Sequence, residues 1–190
     1  MPTLKHKAIV LAALVSTTSF AFAEARYGIG RRATDAEIAA WNLDIDRDGK
    51  SLPAGSGSVK HGKEIYEAQC AACHGASGEG GLGDKLAGGQ GSLATPKPIK
   101  TVGSFWPYAP TLFDYIRRAM PMNAPQSLSN DEVYAVAAYV LNLNGLVSED
   151  KTIDAKSLAS IKMPNRNGFV VDPRPDVPVK PVAGVNKKPN

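Results

Sequence analysis

Two cysteines and a histidine stand together in the run Cys70-Ala71-Ala72-Cys73-His74, and this cluster is the strongest chemical signal in the chain. Two thiols at this spacing can bond covalently to the two vinyl groups on one edge of a porphyrin. The histidine that follows directly can turn its imidazole under the iron and bind it. The spacing therefore predicts one covalent haem c, attached through Cys70 and Cys73 and bound at its iron by His74.

Other uses of a cysteine pair explain less of this motif. A redox site of the thioredoxin type follows a strand in a βαβ pattern, and no such strands are predicted around Cys70. A disulfide is the simple alternative in an exported protein, but it leaves His74 without a role. Zinc prefers four ligands, and outside the motif the only further histidines are His6 and His61. A haem site uses all three side chains of the motif.

The second iron ligand decides what such a haem can do. The run 120–122, Met-Pro-Met, follows one predicted helix and precedes another, in a loop from which a thioether can reach the iron. Met120 is the preferred ligand because it directly follows the helix and precedes a proline that fixes the loop. Met122 is the alternative and Met163 a third candidate. For each methionine, packing in the core is the competing explanation.

Helical periodicity indicates the elements that position these groups. A helix is predicted over Val59–Gln69, leading into the motif, and Gly62 on it would let another helix approach closely. Its predicted inner face consists of Val59, Gly62, Ile65, Tyr66 and Gln69. After His74 the glycine-rich stretch 75–90 predicts a long loop around the haem edge. An aromatic loop at 103–108 follows, whose Trp106 and Tyr108 can contact haem propionates or pack in the core.

Two further helices are predicted after this loop. The first covers residues 110–119, with Arg117 and Arg118 on its solvent side. The second begins after Ser129 with Glu132 at its third position, the pattern of a capping box, and ends before Gly145. Its predicted inner face consists of Val133, Val136, Ala137, Val140 and Leu141. A short helix is also expected within residues 151–161.

The segments outside this core predict an arm and a tail. Residues 24–52 form an arm with one short helix over 34–41, capped by Thr34 and Glu37. Residues 53–58 predict a Gly/Ser linker, and beyond Pro164 the prolines predict an extended tail. Exposed apolar residues on such segments often mark an interface, so the arm, the tail or both are predicted to embrace a catalytic partner protein. The alternative is that they lie back on the haem domain.

The first residues indicate export. Lys5 and Lys7 precede an apolar run over 8–15, and Ala21-Phe22-Ala23 is a cleavage signal, the layout of a secretory signal peptide over residues 1–23. The run is shorter than the about 20 residues that a spanning helix needs. We therefore expect a periplasmic protein that starts at Glu24 and has no integral membrane segment after cleavage.

The charge pattern argues against nucleic-acid binding. The chain has 22 Lys and Arg against 18 Asp and Glu, but residues 24–173 hold 16 basic and 17 acidic side chains. The excess positive charge therefore belongs to the signal peptide and the tail. No dense basic run with interleaved aromatics occurs, and no nucleic-acid partner is expected.

The order of helix, CAACH motif, glycine-rich loop, Met-Pro and Ser-capped helix resembles the class I c-type cytochromes over about residues 59–146. The resemblance implies an all-α class I cytochrome c fold around one covalent haem. It also implies that the first and last helices cross near Gly62 and Tyr139, and that His74 and Met120 bind the iron. The domain boundaries expected are 1–23 for the signal peptide, 24–58 for the N-terminal arm and linker, 59–147 for the cytochrome c domain and 148–190 for the C-terminal extension with its proline-rich tail.

A narrower likeness runs over about residues 41–177. It resembles the single-haem cytochrome subunit of bacterial sulfite or sulfane dehydrogenases of sulfur oxidation, whose partner is a molybdenum-cofactor subunit. The segments that carry the likeness are 41–46, 52–57, 101–110, 111–121, 124–128, 133–145 and 163–169.

A His/Met-ligated iron has both axial positions filled by protein, so it can only gain or lose an electron. We therefore predict an electron-transfer subunit, not an enzyme by itself, that accepts electrons from a molybdenum-containing sulfite or sulfane dehydrogenase and passes them to a downstream acceptor. One alternative is a free diffusible monohaem cytochrome c that serves another dehydrogenase or a terminal oxidase. The other is a catalytic haem with an open iron, such as a peroxidase.

Overall fold

The structure is a computed structural model of the 190-residue chain that describes residues 29–170 together with Arg174 and Asp176. The signal peptide expected over 1–23 and most of the expected proline-rich tail lie outside the described residues. The chain divides into two compact units, Met1–Asn42 and Leu43–Asn190. Among the described residues, no helix has both the length and the apolar character needed to cross a bilayer.

The described part of the first unit contains one helix, α1 (Asp35–Trp41). The Thr34 hydroxyl accepts the backbone N–H of Glu37, and the Glu37 carboxylate accepts the backbone N–H of Thr34. This capping box satisfies backbone donors that the first turn of a helix leaves free. Arg31 adds an ion pair to Glu37 at 2.6 Å. The helix predicted for the arm is confirmed.

The described part of the second unit is mainly helical, with one pair of short strands. In chain order its elements are β1 (Ser56–Ser58), α2 (Val59–Gln69), α3 (Ala71–His74), a 3-10 turn (Ser92–Ala94), α4 (Ala109–Ala119), α5 (Asn130–Leu143), β2 (Thr152–Asp154) and α6 (Ala155–Ser160).

The packing of α2 against α5 is the centre of the fold. A Cβ atom at Gly62 would collide with the backbone carbonyl of Ala135, so the two helix backbones touch where glycine stands. Close by, the rings of Tyr66 and Tyr139 pack at 5.2 Å between centroids. The crossing near Gly62 and Tyr139 is as expected. The assignment of Gln69 to the inner face is wrong, because its side chain is exposed.

Helix α5 is capped as predicted, and more of its residues are buried than the predicted inner face contains. Ser129 and Glu132 form a capping box, and Gly145 after the helix has φ 69°, a conformation open to glycine. The predicted inner face is buried, but so is every residue from Val133 to Leu141. The cause is that α5 packs against α2, α4 and β1 together.

A small sheet that the sequence did not predict accompanies the helices. β1 and β2 pair antiparallel with Ser56 opposite Asp154 and Ser58 opposite Thr152. The predicted linker therefore ends in a strand, and the helix predicted within 151–161 begins only at Ala155. The physical reason is tertiary: a Cβ at Gly57 would collide with Ala135 of α5, so only glycine lets this strand lie on the helix. The fold around the pair is a class I cytochrome c fold.

The arm from Leu43 onward packs on the haem domain. Ile45 is buried, and the Tyr134 hydroxyl of α5 donates to the Pro53 carbonyl at 2.8 Å. The C-terminal extension also returns: Met163 is buried, and the Asn165 amide donates to the Phe105 carbonyl at 2.7 Å. These residues of the arm and the extension therefore pack on the haem domain, which was the alternative to binding a partner.

Candidate haem-attachment site

The C-x-x-C-H motif lies in a helical turn at the end of α2. Cys70 is the last cap residue of α2, and α3 begins directly after it. The backbone N–H of His74 donates to the Cys70 carbonyl at 3.0 Å. Residues three and four positions apart in such a turn share one side, so Cys70, Cys73 and His74 lie together. The Tyr66 hydroxyl holds the end of the turn by donating to the Gly75 carbonyl at 2.8 Å.

Both cysteines are free thiols, so the disulfide alternative is not formed in this structure. Cys73 is exposed and Cys70 is half-buried. Burial, and secondly the neighbouring Cys73, raise the pKa of the Cys70 thiol to about 11. The half-buried position of Cys70 suits an attachment point for the apolar edge of a porphyrin.

The imidazole of His74 is oriented by the backbone of the glycine-rich loop. Its Nδ1 lies 2.8 Å from the Asp84 carbonyl, which can only accept a hydrogen bond. In the neutral tautomer that makes this hydrogen bond, Nδ1 carries the proton and Nε2 keeps its free electron pair. A hydrogen bond of this kind fixes the tautomer of a metal-binding histidine and raises its basicity. This donor set fits a haem iron.

Gly83 lies against the face of the same ring. A Cβ atom there would be 2.8 Å from Cε1 and 2.9 Å from Nδ1 of His74. The backbone N–H of Gly83 donates to the Cys73 carbonyl at 2.8 Å, which ties the loop to the motif. Sequence reasoning predicted a loop here but did not single out Gly83 or Asp84. The density of glycines was the available signal.

Asn144 joins the glycine-rich loop to the end of α5 and was missed by sequence reasoning. It is buried, its amide nitrogen donates to the Leu86 carbonyl at 3.0 Å, and its Oδ1 accepts the backbone N–H of Gly88 at 3.2 Å. A buried amide that satisfies backbone groups of two elements is a fixed junction. An asparagine after an apolar helix gives no sequence signal for this role.

The three candidate methionines have different surroundings. Met120 is the C-cap residue of α4 and is half-buried against the hydrophobic core. Met122 exposes 78% of its surface, whereas Met163 is buried in the core at 3%. Of the three, Met163 is the one that packs in the core, which was the alternative to iron binding for each methionine.

The aromatic loop and the arginines of α4 make contacts that the sequence left open. Trp106 packs edge-on against Tyr115 at 5.7 Å. The Tyr108 ring is contacted by the guanidinium groups of Arg47 and Arg166, at 5.7 Å and 5.1 Å from its centroid. The prediction that Arg118 is simply solvated is incomplete, because its guanidinium is bound by two carboxylates.

Comparison with known proteins supports this site. The cytochrome c family model matches residues 59–144. The thiosulfate dehydrogenase of Allochromatium vinosum is 38% identical over 81 residues, which is 43% of this chain and 30% of that protein. The thiosulfate dehydrogenase of Stutzerimonas stutzeri is 35% identical over 91 residues, which is 46% of this chain and 28% of that protein. The chain thus spans about a third of the length of these curated relatives.

A solved structure resembles most of the chain. A chain in the crystal structure of the sulfane dehydrogenase SoxCD from Paracoccus pantotrophus is 38% identical, with a TM-score of 0.74. The match covers 86% of this chain and 85% of that chain, so it extends beyond the cytochrome c domain itself. With the C-x-x-C-H motif on the turn described above, these findings show that the chain belongs to the class I c-type cytochromes of the Sox type and carries one covalent haem c.

Proposed function

We propose that the protein is a periplasmic electron-transfer cytochrome that receives electrons from a molybdenum-containing sulfite or sulfane dehydrogenase. The observation that carries this proposal is the similarity to a SoxCD chain over 86% of the present chain at 38% identity. A match of that length extends beyond the haem domain into the segments that flank it. The molybdenum cofactor and the export come from the family resemblance and the signal-peptide pattern.

In this proposal Cys70 and Cys73 form the two thioether bonds, and His74 binds the iron through Nε2. When bound, the haem supplies an iron that gains or loses one electron. The carbonyl of Asp84 holds the proton on Nδ1, so the ring presents its electron pair in one tautomer only. Gly83 leaves room for the ring to lie flat against the loop.

Met120 is the proposed second axial ligand. Because Met120 is the C-cap residue of α4, the helix fixes the position of its backbone, and its side chain is half-buried. Met122 remains the alternative, but it is largely exposed. If His74 and Met120 both hold the iron, they would keep a sulfur substrate from reaching it. The bond-making chemistry then belongs to the partner's cofactor.

A second candidate function is suggested by the curated relatives, which are named thiosulfate dehydrogenases. In that case the chain would take part in the oxidation of thiosulfate itself. Because the chain covers less than a third of those proteins, this candidate has less support than the first.

Purification of the tagged full-length holoprotein from periplasmic extract tests the proposal. We expect a molybdenum-containing protein to co-purify, and we expect sulfite or a sulfane compound to reduce the haem only when that protein is present. Reduction by thiosulfate without any partner would favour the second candidate. A haem protein that isolates alone and is reduced by none of these compounds would be a diffusible cytochrome, and the proposal would be wrong.

A further inference from the structure

One segment of the chain, residues 43–47, contacts α4 at both of its ends and is called the strap below. At the C-terminal end, the Arg118 Nη2 donates to Asp44 of the strap at 2.8 Å and to Asp114, one turn earlier on α4, at 2.8 Å. Asp114 also accepts the backbone N–H of Ile45 at 3.3 Å, and the Ile45 side chain is buried. This end of α4 is joined to the strap by an ion pair and a backbone hydrogen bond, next to a strap residue whose side chain is buried.

The strap also contacts the start of α4. The Arg47 guanidinium lies over the ring of Tyr108 at 5.7 Å from its centroid, and Tyr108 is the N-cap residue of α4. Arg166 of the C-terminal extension contacts the same ring at 5.1 Å. A cation on an aromatic face is attracted by the negative ring face. Both ends of one short helix are therefore held by a segment more than 60 residues earlier in the chain.

Met120 depends on the placement of this helix. It is the C-cap residue of α4, two positions after Arg118, and its backbone N–H still donates to the Ile116 carbonyl at 3.0 Å. A displacement of the last turn of α4 would therefore displace the backbone from which the Met120 thioether extends. A thioether–iron bond tolerates little displacement, because its length is set by coordination chemistry.

We propose that the strap is a positioning element that acts through Arg118 and α4 to keep the Met120 thioether on the haem iron. The inference rests on the proposed ligation by Met120. Arg118, Asp44 and Asp114 are positioning residues, since none of them needs to touch the haem.

The solvent exposure of the ion pairs that Arg118 makes, called the junction, sets how strongly the strap can influence Met120. The side chains of Arg118, Asp44 and Asp114 are 41%, 85% and 26% exposed. Ion pairs of this exposure contribute too little to decide whether a domain folds. The bound and released states of Met120 share one fold, so a contribution of this size shifts their equilibrium by roughly 1.5- to fivefold.

The test measures how fast cyanide binds to the oxidised holoprotein, because cyanide binds only when the sixth position of the iron opens. Asp44→Asn removes the strap side of the junction, and Arg118→Gln removes both ion pairs. We expect both variants to bind cyanide roughly 1.5- to fivefold faster than the parent, with an almost unchanged urea midpoint. The control Arg117→Gln changes the neighbouring arginine of α4 and is expected to behave like the parent. Asp44→Glu keeps the carboxylate and is expected to restore the slow rate.

Three results would count against the strap. Parent-like cyanide rates in Asp44→Asn and Arg118→Gln, with a fast rate in Met120→Ala, would overturn the strap and leave the Met120 assignment intact. Faster cyanide binding that only parallels a loss of stability in urea would show a general structural role instead. Absence of the thioether-to-iron absorption band from the parent protein would refute the Met120 assignment first, and the strap with it.

Discussion

At the scale of single residues, the haem site depends on backbone groups as much as on side chains. The Asp84 carbonyl accepts the hydrogen bond from Nδ1 of His74, and Gly83, without a side chain, leaves space beside the imidazole ring. Neither residue contributes a side chain to the chemistry. The positions that orient a ligand can therefore be occupied by residues whose type says nothing about metal binding.

The first prediction concerns Gly83. Gly83→Ala introduces a methyl group 2.8 Å from Cε1 of His74, so either the ring or the loop must move. Overpacking of this kind costs about 1–3 kcal/mol, and part of that cost falls on the His74–iron bond. We expect less holoprotein and a changed reduction potential, measured by haem staining and by redox titration. Leu82→Ala, at an adjacent side chain that is 92% exposed, serves as the control and is expected to be neutral.

The second prediction concerns the axial methionine. Met120→Ala is expected to open the sixth position of the iron, abolish the thioether-to-iron absorption band and allow rapid binding of cyanide. Met122→Ala is expected to keep the band, since Met122 is 78% exposed. Loss of the band in Met122→Ala with its retention in Met120→Ala would reassign the ligand.

At the scale of elements, the crossing of α2 and α5 holds the haem-binding turn in place. Cys70 follows the last turn of α2, so any shift of α2 on α5 is passed to the motif. Gly62 permits the contact because the Ala135 carbonyl stands where its Cβ would be. The turn is thus anchored by a backbone-to-backbone approach that no larger residue allows.

The third prediction weighs two opposing effects at Gly62. In a free helix a change from glycine to alanine stabilises by about 1 kcal/mol. At this site the new methyl group would meet the rigid backbone of Ala135, and overpacking costs about 1–3 kcal/mol. We expect the collision to win, so Gly62→Ala lowers the free energy of unfolding measured by urea titration of the holoprotein. His61→Ala, at the exposed neighbouring position, should stay within about 0.5 kcal/mol of the parent; a stabilised Gly62→Ala would show that the helices can separate without cost.

At the scale of the whole molecule, the arm is divided between the two compact units. From Leu43 onward it belongs to the unit that contains the haem domain, with Ile45 buried. The part before it contains α1, on which Ile38 and Trp41 expose 51% and 87% of their surfaces. Exposed apolar residues spaced three apart on a helix can dock into a groove of a partner.

The fourth prediction separates these two parts by truncation. Removal of residues 24–42 is expected to leave the haem spectrum and stability unchanged while weakening binding to the dehydrogenase proposed as the partner. Removal of 24–52 is expected to destabilise the haem domain as well, because it deletes Ile45 and the strap. Haem absorption, urea unfolding and affinity for the purified partner measure the three effects. Full partner affinity without residues 24–42 would show that the first part of the arm is not a docking element.

The sequence by itself was sufficient for the local features. The C-x-x-C-H spacing, the capping boxes at Thr34 and Ser129 and the bounds of α2 each depend on residues within a few positions of one another. Such short-range patterns carry their physical cause with them: a hydroxyl before a helix satisfies its free N–H groups wherever the helix packs. The haem, the helical class and the helix that carries the motif were predictable for this reason.

Only the tertiary structure decided which distant segments meet. The pairing of β1 with β2 joins residues almost 100 positions apart, and it depends on the bare backbone of Gly57 lying on Ala135. The strap on α4, the Asn144 junction and the carbonyl of Asp84 beside His74 are likewise contacts between segments that are separated in sequence or made by backbone atoms. Backbone carbonyls are the same in every residue, so a pattern of side chains does not predict which of them makes a contact. The fold decides which group each carbonyl meets.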